Sequence, residues 1–170
     1  MWIIIDGYNL IRRLPDLRAR ERESLEAGRA ALVQMLAAYR RTRGHHRITV
    51  VFDGGANLAG SGGAERVAGI DVRFSPPGQT ADGVIVRLAQ EGRSGALVVT
   101  SDRAVGLAAA AAGAAAASCE EFAARLEAAT LAALKGGELD DEDERPAPKK
   151  GAARRLPKAE RRRAAALRRL

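Results

Sequence analysis

The 170 residues, 46% of them hydrophobic, suffice for one domain with a single core and are too few for several. A lone cysteine excludes an internal disulfide framework, and no run of about 18 strongly apolar residues exists to span a membrane, so a reducing, cytoplasmic setting away from the membrane is expected. The net charge of +7 argues against a basic or neutral partner and points to a polyanion.

The chain opens with Trp2-Ile3-Ile4-Ile5, a continuous β-branched run that fits a strand buried on both faces of a parallel sheet. No basic segment precedes it and Asp6 follows at once, so a secretory signal is not expected. Asp6-Gly7-Tyr8-Asn9 reads as a turn. A helix is expected over roughly Arg20 to Arg43, where Leu25, Leu32, Leu36 and Tyr39 recur at helical spacing and Gly44 stops it. His45 and His46 fall in the polar turn that follows and read as solvated.

Ile48–Phe52 is the second expected strand, ending at Asp53-Gly54-Gly55. The glycine-rich stretch to Gly63 lacks the Gly-x-x-x-x-Gly-Lys-Ser/Thr pattern of a triphosphate loop, and reads as a flexible or substrate-contact loop. Ile70–Phe74 is a shorter, alternating strand, expected nearer a sheet edge. Ser75-Pro76-Pro77-Gly78 makes a rigid loop, and Thr80 is placed to cap a helix running to about Glu91. Ala96–Thr100 is the fourth strand, ended by Ser101-Asp102. A helix from Ala104 to Ala112, a short strand over Ala114–Ser118 and a last helix over Glu120–Leu134 follow, with Phe122, Leu126 and Leu134 inward and Cys119 a small buried hydrophobe. Strands alternating with helices predict right-handed crossovers and a three-layer α/β domain around a central parallel sheet.

Charge divides the chain. Residues 1–137 carry 17 Lys/Arg and 14 Asp/Glu, a net of +3; residues 138–144 carry six acids and no base; residues 145–170 carry 11 bases and one acid, a net of +10. Three segments are therefore expected: a domain over 1–135, an acidic-to-Pro/Lys linker over 136–150, and a basic tail over 151–170, disordered or partly helical until a partner orders it. Its arginines Arg154, Arg155, Arg161, Arg162, Arg163, Arg168 and Arg169 are candidate phosphate contacts.

In an open parallel sheet, ligands sit beyond the carboxyl ends of the strands. Asp6, Asp53 and Asp102 stand at or beside strand ends, and Asp82 opens a helix after a strand. Each aspartate alone is explained equally well as a helix cap or a turn residue. Together, Asp6, Asp82 and Asp102 can converge on one edge, joined by Asp53 if the second strand neighbours the first. Carboxylates so gathered raise one another's pKa, and Mg²⁺ or Mn²⁺ relieves the repulsion. Arg12, Arg13 and Arg103 follow strand-end motifs and could contact flanking phosphates.

The segment Ile3-Ile4-Ile5-Asp6-Gly7-Tyr8-Asn9-Leu10-Ile11 resembles the opening motif of NYN domains, in particular their bacterial YacP-like branch. Val50-Val51-Phe52-Asp53-Gly54, Phe74-Ser75 with Thr80-Ala81-Asp82, and Val98-Val99-Thr100-Ser101-Asp102 resemble later motifs of that family in the same order, over about residues 2–134. The resemblance implies a PIN-like nuclease fold, Mg²⁺- or Mn²⁺-dependent endoribonuclease activity, and kinship with ribosome-associated enzymes that cleave mRNA during translation. It implies Asp6 and Asp82 as the central acids, Asp102 completing the metal site, Asp53 as an accessory carboxylate, and Asn9 and Ser101 as orienting residues. One position departs: Gly83 follows Asp82 where many relatives have an acid, and one carboxylate fewer could weaken metal binding or shift its preference.

Three function classes stand at this point. The first is a metal-dependent endoribonuclease acting on RNA, with mRNA on the ribosome as its setting. The second is an RNA- or ribosome-binding protein on the same scaffold with a weakened site. The third is a phosphatase or nucleotide-binding α/β protein, which leaves the basic tail without a role and lacks a phosphate loop.

Overall fold

A computed structural model describes residues 1–44, 46–54, 63–134 and 157–170, with the backbone alone for residues 132–134. His45, most of the glycine-rich loop, the linker over 136–150, Arg154, Arg155 and the Leu134 side chain lie outside the described residues.

Six strands form one sheet: β1 (Trp2–Asp6), β2 (Arg47–Phe52), β3 (Ala64–Val67), β4 (Ile70–Phe74), β5 (Ala96–Val99) and β6 (Ala115–Ala117), in the order β3-β4-β2-β1-β5-β6. Every pairing is parallel except β3 with β4, so the sheet is mixed where an all-parallel one was expected. The departure is a hairpin. Ala68 and Gly69 both take positive φ, 50° and 83°, which is the backbone of a tight two-residue turn whose twist matches that of the strands it joins. β3 thus covers the edge that β4 would have presented.

Helices flank the sheet: α1 (Gly7–Ile11), α2 (Pro15–Glu23), α3 (Leu25–Thr42), α4 (Ala81–Gly92), α5 (Arg103–Ala111), α6 (Cys119–Leu134) and α7 (Lys158–Leu167). Strand side chains alternate between two cores. Ile3, Ile5, Val50, Phe52, Leu97 and Val99 meet Leu32, Leu36, Tyr39, Phe122 and Leu126 of α3 and α6 on one face. Ile4, Val51 and Val98 meet Val84, Ile85, Leu88, Val105 and Ala109 of α4 and α5 on the other. Burial on both faces is why the strands read as unbroken apolar runs.

Two local readings change. The segment after Asp6 is a helix rather than a turn, because the Asp6 carboxylate accepts the Asn9 backbone N–H at 3.2 Å and caps α1. The single helix expected from Arg20 to Arg43 is two, broken at Ser24, whose backbone is extended (φ −164°, ψ 154°). Its hydroxyl accepts the Ala27 N–H at 2.9 Å, so the serine caps α3 instead of continuing α2.

Of the two states expected of the basic tail, the helical one is observed, and its partner is the domain itself. Pro157 precedes α7 and fits its first turn. Ala166 and Leu170 enter the core beside α3 and α6. The Tyr39 hydroxyl donates to the Leu170 main-chain oxygen at 2.7 Å, Arg125 donates to the Leu167 carbonyl at 3.2 Å, and Arg163 bridges to Glu121 at 2.5 Å. Burial pushes the Tyr39 hydroxyl up to about 12, so it stays a donor at any physiological pH.

Two outcomes follow from this packing. Tyr39→Phe leaves a buried carbonyl without its donor and should cost about 1–2 kcal/mol in a denaturant melt. Cys119 is fully buried, and burial chiefly pushes its thiol up to about 11. A thiol reagent at pH 8 should therefore label native protein slowly and unfolded protein fast; rapid native labelling would contradict the packing.

Candidate active site at the carboxyl edge of the sheet

β1, β2 and β5 lie side by side and run the same way, so their carboxyl ends share one edge. Asp6 ends β1, Asp53 follows β2, and Asp102 follows the end of β5 as the cap of α5. β2 does neighbour β1, the condition on which Asp53 was expected to join the group. Asp82 arrives from the first turn of α4, which packs against β1, β2 and β5.

Each carboxylate except Asp82 is held by local donors. Asp6, only 7% exposed, accepts the Asn9 backbone N–H at 3.2 Å, the Asn9 side-chain amide at 2.5 Å, and the Thr100 hydroxyl at 3.2 Å. Asp53 accepts the Ala81 N–H at 2.7 Å and faces the Ser75 hydroxyl at 3.5 Å, tying the end of β2 to the start of α4. Asp102 accepts the Ala104 and Val105 N–H groups at 2.7 and 3.1 Å. The capping explanation and the site explanation are therefore compatible. A cap occupies one oxygen of Asp53 and of Asp102, and the other oxygen of each accepts no described hydrogen bond.

Electrostatics link the four. Burial pushes the Asp6 carboxyl up despite the Asn9 and Thr100 donors, and Asp82 adds to the rise. Asp82 is also pushed up, first by desolvation and then by the charges of Asp102 and Asp53. Exposed Asp82 is thus the point where the fields of the other three meet. Among the described residues, no three His, Cys, Asp or Glu side chains stand in a ready-made metal-binding group. The donor set along the edge is nevertheless all oxygen and negative, the chemistry suited to a hard divalent cation that keeps several waters.

The remaining expected residues divide. Asn9 sits in the cluster as expected. The Ser101 hydroxyl is buried beside the Cys119 thiol, so the orienting contact to Asp6 comes from its neighbour Thr100. Gly83 leaves open space at its Cβ position apart from the Thr80 hydroxyl at 3.7 Å, so packing does not demand glycine there. Arg12 and Arg103 are exposed near the edge, and Arg13 pairs with Glu120 at 2.8 Å. Arg161 on α7 and Arg168 and Arg169 just after it are exposed, whereas Arg162 and Arg163 donate to the carbonyls of Gly113 and Ala116. His46 is half-buried just before β2, at the opposite end of that strand from Asp53.

Thr100 is a member of the cluster that the motifs do not single out. It receives Asp102 N–H at 3.0 Å, donates to Asp6, and lies 3.4 Å from the Asn9 amide. Its signal is parity: with Ile4 opposite Val98, the next position on that face sets Thr100 beside Asp6. Beyond it, a groove of about 420 Å³ leads away between α5, β6 and α7, lined by Thr100, Asp102, Arg103, Arg13 and Arg163.

An α/β domain with acidic residues along the carboxyl edge of its sheet and arginines beside them belongs to a class of nuclease-like folds. The sequence profile of the YacP-like NYN domain matches residues 3–169, and the chain belongs to that family. The match includes α7, which the motifs alone did not reach. The chain is 36% identical over 89 residues to a protein of Bacillus subtilis (strain 168) known as uncharacterized protein YacP, and spans about half the length of that relative (51%). The crystal structure of Rae1 (YacP) from Bacillus subtilis superposes with a TM-score of 0.65 at 28% identity, covering 80% of this chain and 79% of that one. A tryptophan-to-leucine mutant of the same Bacillus subtilis protein gives 0.64 at the same identity, with 79% of each chain covered. Family membership gives a nuclease-like, RNA-related function. No helix among the described residues is long and apolar enough to cross a membrane.

If the carboxylate edge holds a cation, Mn²⁺ at a hundredfold over its Kd should stabilise the protein by about 2.7 kcal/mol, visible as a rise in Tm. Asp82→Asn should lose most of that rise while keeping the fold. An equal rise in wild type and variant would place the cation elsewhere.

Proposed function

We propose that this chain is a cytoplasmic endoribonuclease that hydrolyses phosphodiester bonds of mRNA, acting on the ribosome, with Mg²⁺ or Mn²⁺ as cofactor. The observation that carries the reading is the placement of Asp6, Asp53 and Asp102 at the carboxyl ends of adjacent parallel strands, with Asp82 at the start of α4, in a chain of the NYN family. Asp6, Asp82 and Asp102 would hold the cation, with Asp53 as accessory. A bound divalent ion supplies Lewis-acid polarisation of the scissile phosphate.

The chain's own groups do the rest. Asn9 and Thr100 fix the Asp6 carboxylate through three hydrogen bonds, so its orientation is set before substrate arrives. Exposed Asp82 is held by none of the described hydrogen bonds, so its carboxylate is left open toward the cation it would help to hold. Arg12, Arg13 and Arg103 flank the edge and would clamp phosphates on either side of the cut. Arg13 is held by Glu120 in the free protein, and a phosphate would compete with that carboxylate.

Helix α7 adds Arg161, Arg168 and Arg169 to the surface, and Arg163 lines the groove leaving the carboxylates. Arg154 and Arg155 extend the same basic segment. The domain would carry catalysis and the basic segment affinity, so binding should fall steeply with salt. Gly83, where the family resemblance leads one to expect an acid, is the specific feature favouring a second reading, in which the scaffold binds RNA or ribosomes without cutting.

The test is cleavage of mRNA, free and on translating ribosomes, by wild type, Asp6→Asn and Asp82→Asn in Mn²⁺ or Mg²⁺. Both substitutions should lower the rate by a factor on the order of 10² or more with RNA binding retained. Salt-sensitive binding with no cleavage by wild type in either setting would leave only the second reading.

A further inference from the structure

On the face of the sheet opposite the carboxylates, the same strand ends carry an aromatic ladder. Tyr8 meets Phe52 edge to face at 5.2 Å, and Phe52 stacks on Phe74 at 5.9 Å with 30° between the planes. The Arg29 guanidinium of α3 lies over the Phe74 ring at 5.3 Å and reaches the Tyr8 hydroxyl at 3.4 Å. Phe52 is fully buried, whereas Phe74, Tyr8 and Arg29 are half-buried and present surface. Among the described residues no carboxylate pairs with Arg29, although Glu26 stands one turn away on α3.

Phe52, Phe74 and Arg29 line a groove of about 430 Å³ between α3 and the β3–β4 hairpin, within the size range of small-ligand sites, about 300–1,000 Å³, and Tyr8 touches it through Phe52 and Arg29. Phe52, Val72 and Phe74 make it apolar below, and Glu26, Gln34 and Glu65 make it polar at the rim. The groove adjoins the carboxylate edge through the backbone: Phe52 precedes Asp53, and Phe74 precedes Ser75, whose hydroxyl faces Asp53.

We propose that this groove is a nucleobase subsite in which one unstacked RNA base displaces Arg29 from the Phe74 face and stacks there with the guanidinium over it, and that the subsite favours guanine. The inference rests on the reading of the protein as RNA-acting. A flat ring on an aromatic face, covered by a guanidinium plane, is how single-stranded RNA bases are held. Glutamates at the rim only accept hydrogen bonds, so they select edges that donate. Guanine offers the adjacent N1–H and N2–H₂ donors that one carboxylate accepts together, adenine and cytosine offer one amino group, and uracil one imino N–H. Tyr8 joins this groove to the helical turn Asp6-Gly7-Tyr8-Asn9, so an occupied subsite sets which nucleotide lies over the carboxylates.

The test is fluorescence anisotropy of full-length protein with a labelled uridine-only octamer and the same octamer bearing one central guanosine. EDTA prevents cleavage. The guanosine should tighten binding about tenfold, the size of one good bidentate base contact. Glu65→Gln should shrink that advantage. Phe74→Leu, which keeps the core filled, and Arg29→Gln, at the groove surface, should each abolish it, with circular dichroism confirming the fold. Equal affinity of wild type for both octamers, or an advantage that survives both of the last two substitutions, overturns the subsite. The readout needs no catalysis. A guanosine preference with no cleavage of mRNA in Mn²⁺, free or on translating ribosomes, would sink the nuclease reading and keep the subsite, and cleavage without preference would do the reverse.

Discussion

The rest of the structure answers to one constraint: like charges are brought together at the carboxyl ends of adjacent parallel strands. β1, β2 and β5 are neighbours in register, so Asp6 and the residues following β2 and β5 cannot avoid sharing an edge. Nothing about core packing asks for this. Burial raises the carboxyl of Asp6 and disfavours its ionised form, and Asp82 carries a similar penalty reinforced by its neighbours. A fold that keeps such a cost commonly does so for function.

The surrounding elements make that edge rigid. Helix α1 begins on the carboxylate of Asp6, α5 begins on that of Asp102, and α4 is tied to β2 by the bond from Ala81 to Asp53. Each carboxylate is thus fixed to a helix start, where the peptide dipoles favour negative charge and offset part of the repulsion. Glycine at position 7 serves the same end. A Cβ there would lie 2.2 Å from the Phe52 ring, so α1 could not turn so tightly over the aromatic ladder. At the far edge, α7 closes the sheet beyond β6 through Leu170, Tyr39 and Arg163. Part of the polycationic segment therefore holds the domain together, and among its described residues Arg161, Arg168 and Arg169 remain at the surface.

Much of this was legible in the residues. Four apolar runs and the alternating segment Ile70–Phe74 gave five of the strands, and the strand-end aspartates with the Asp-Gly-Tyr-Asn motif led to the family. Strand order was the missing step, because periodicity does not say which strands are neighbours; only the pairing of β1 with both β2 and β5 assembles the edge. Thr100 was hidden because a threonine ending a β-branched run looks like ordinary strand composition, and its importance comes from the neighbour across the sheet. β3 was missed because Ala64-Glu65-Arg66-Val67 has little apolar alternation and is set by its turn. The helical state of α7 could not be chosen from sequence, since its few apolar residues matter only where a core edge lies open to receive them.

The central claim is that the four aspartates form one cation-binding edge. The most direct measurement is a ¹⁵N spectrum of the protein titrated with substoichiometric Mn²⁺, whose paramagnetism broadens nearby amide signals. The account predicts broadening confined to Asp6–Asn9, Asp53–Gly54, Thr80–Gly83 and Thr100–Asp102, lost in Asp82→Asn. Broadening centred on the acidic stretch Glu138–Glu144, or none at the strand ends, would contradict it.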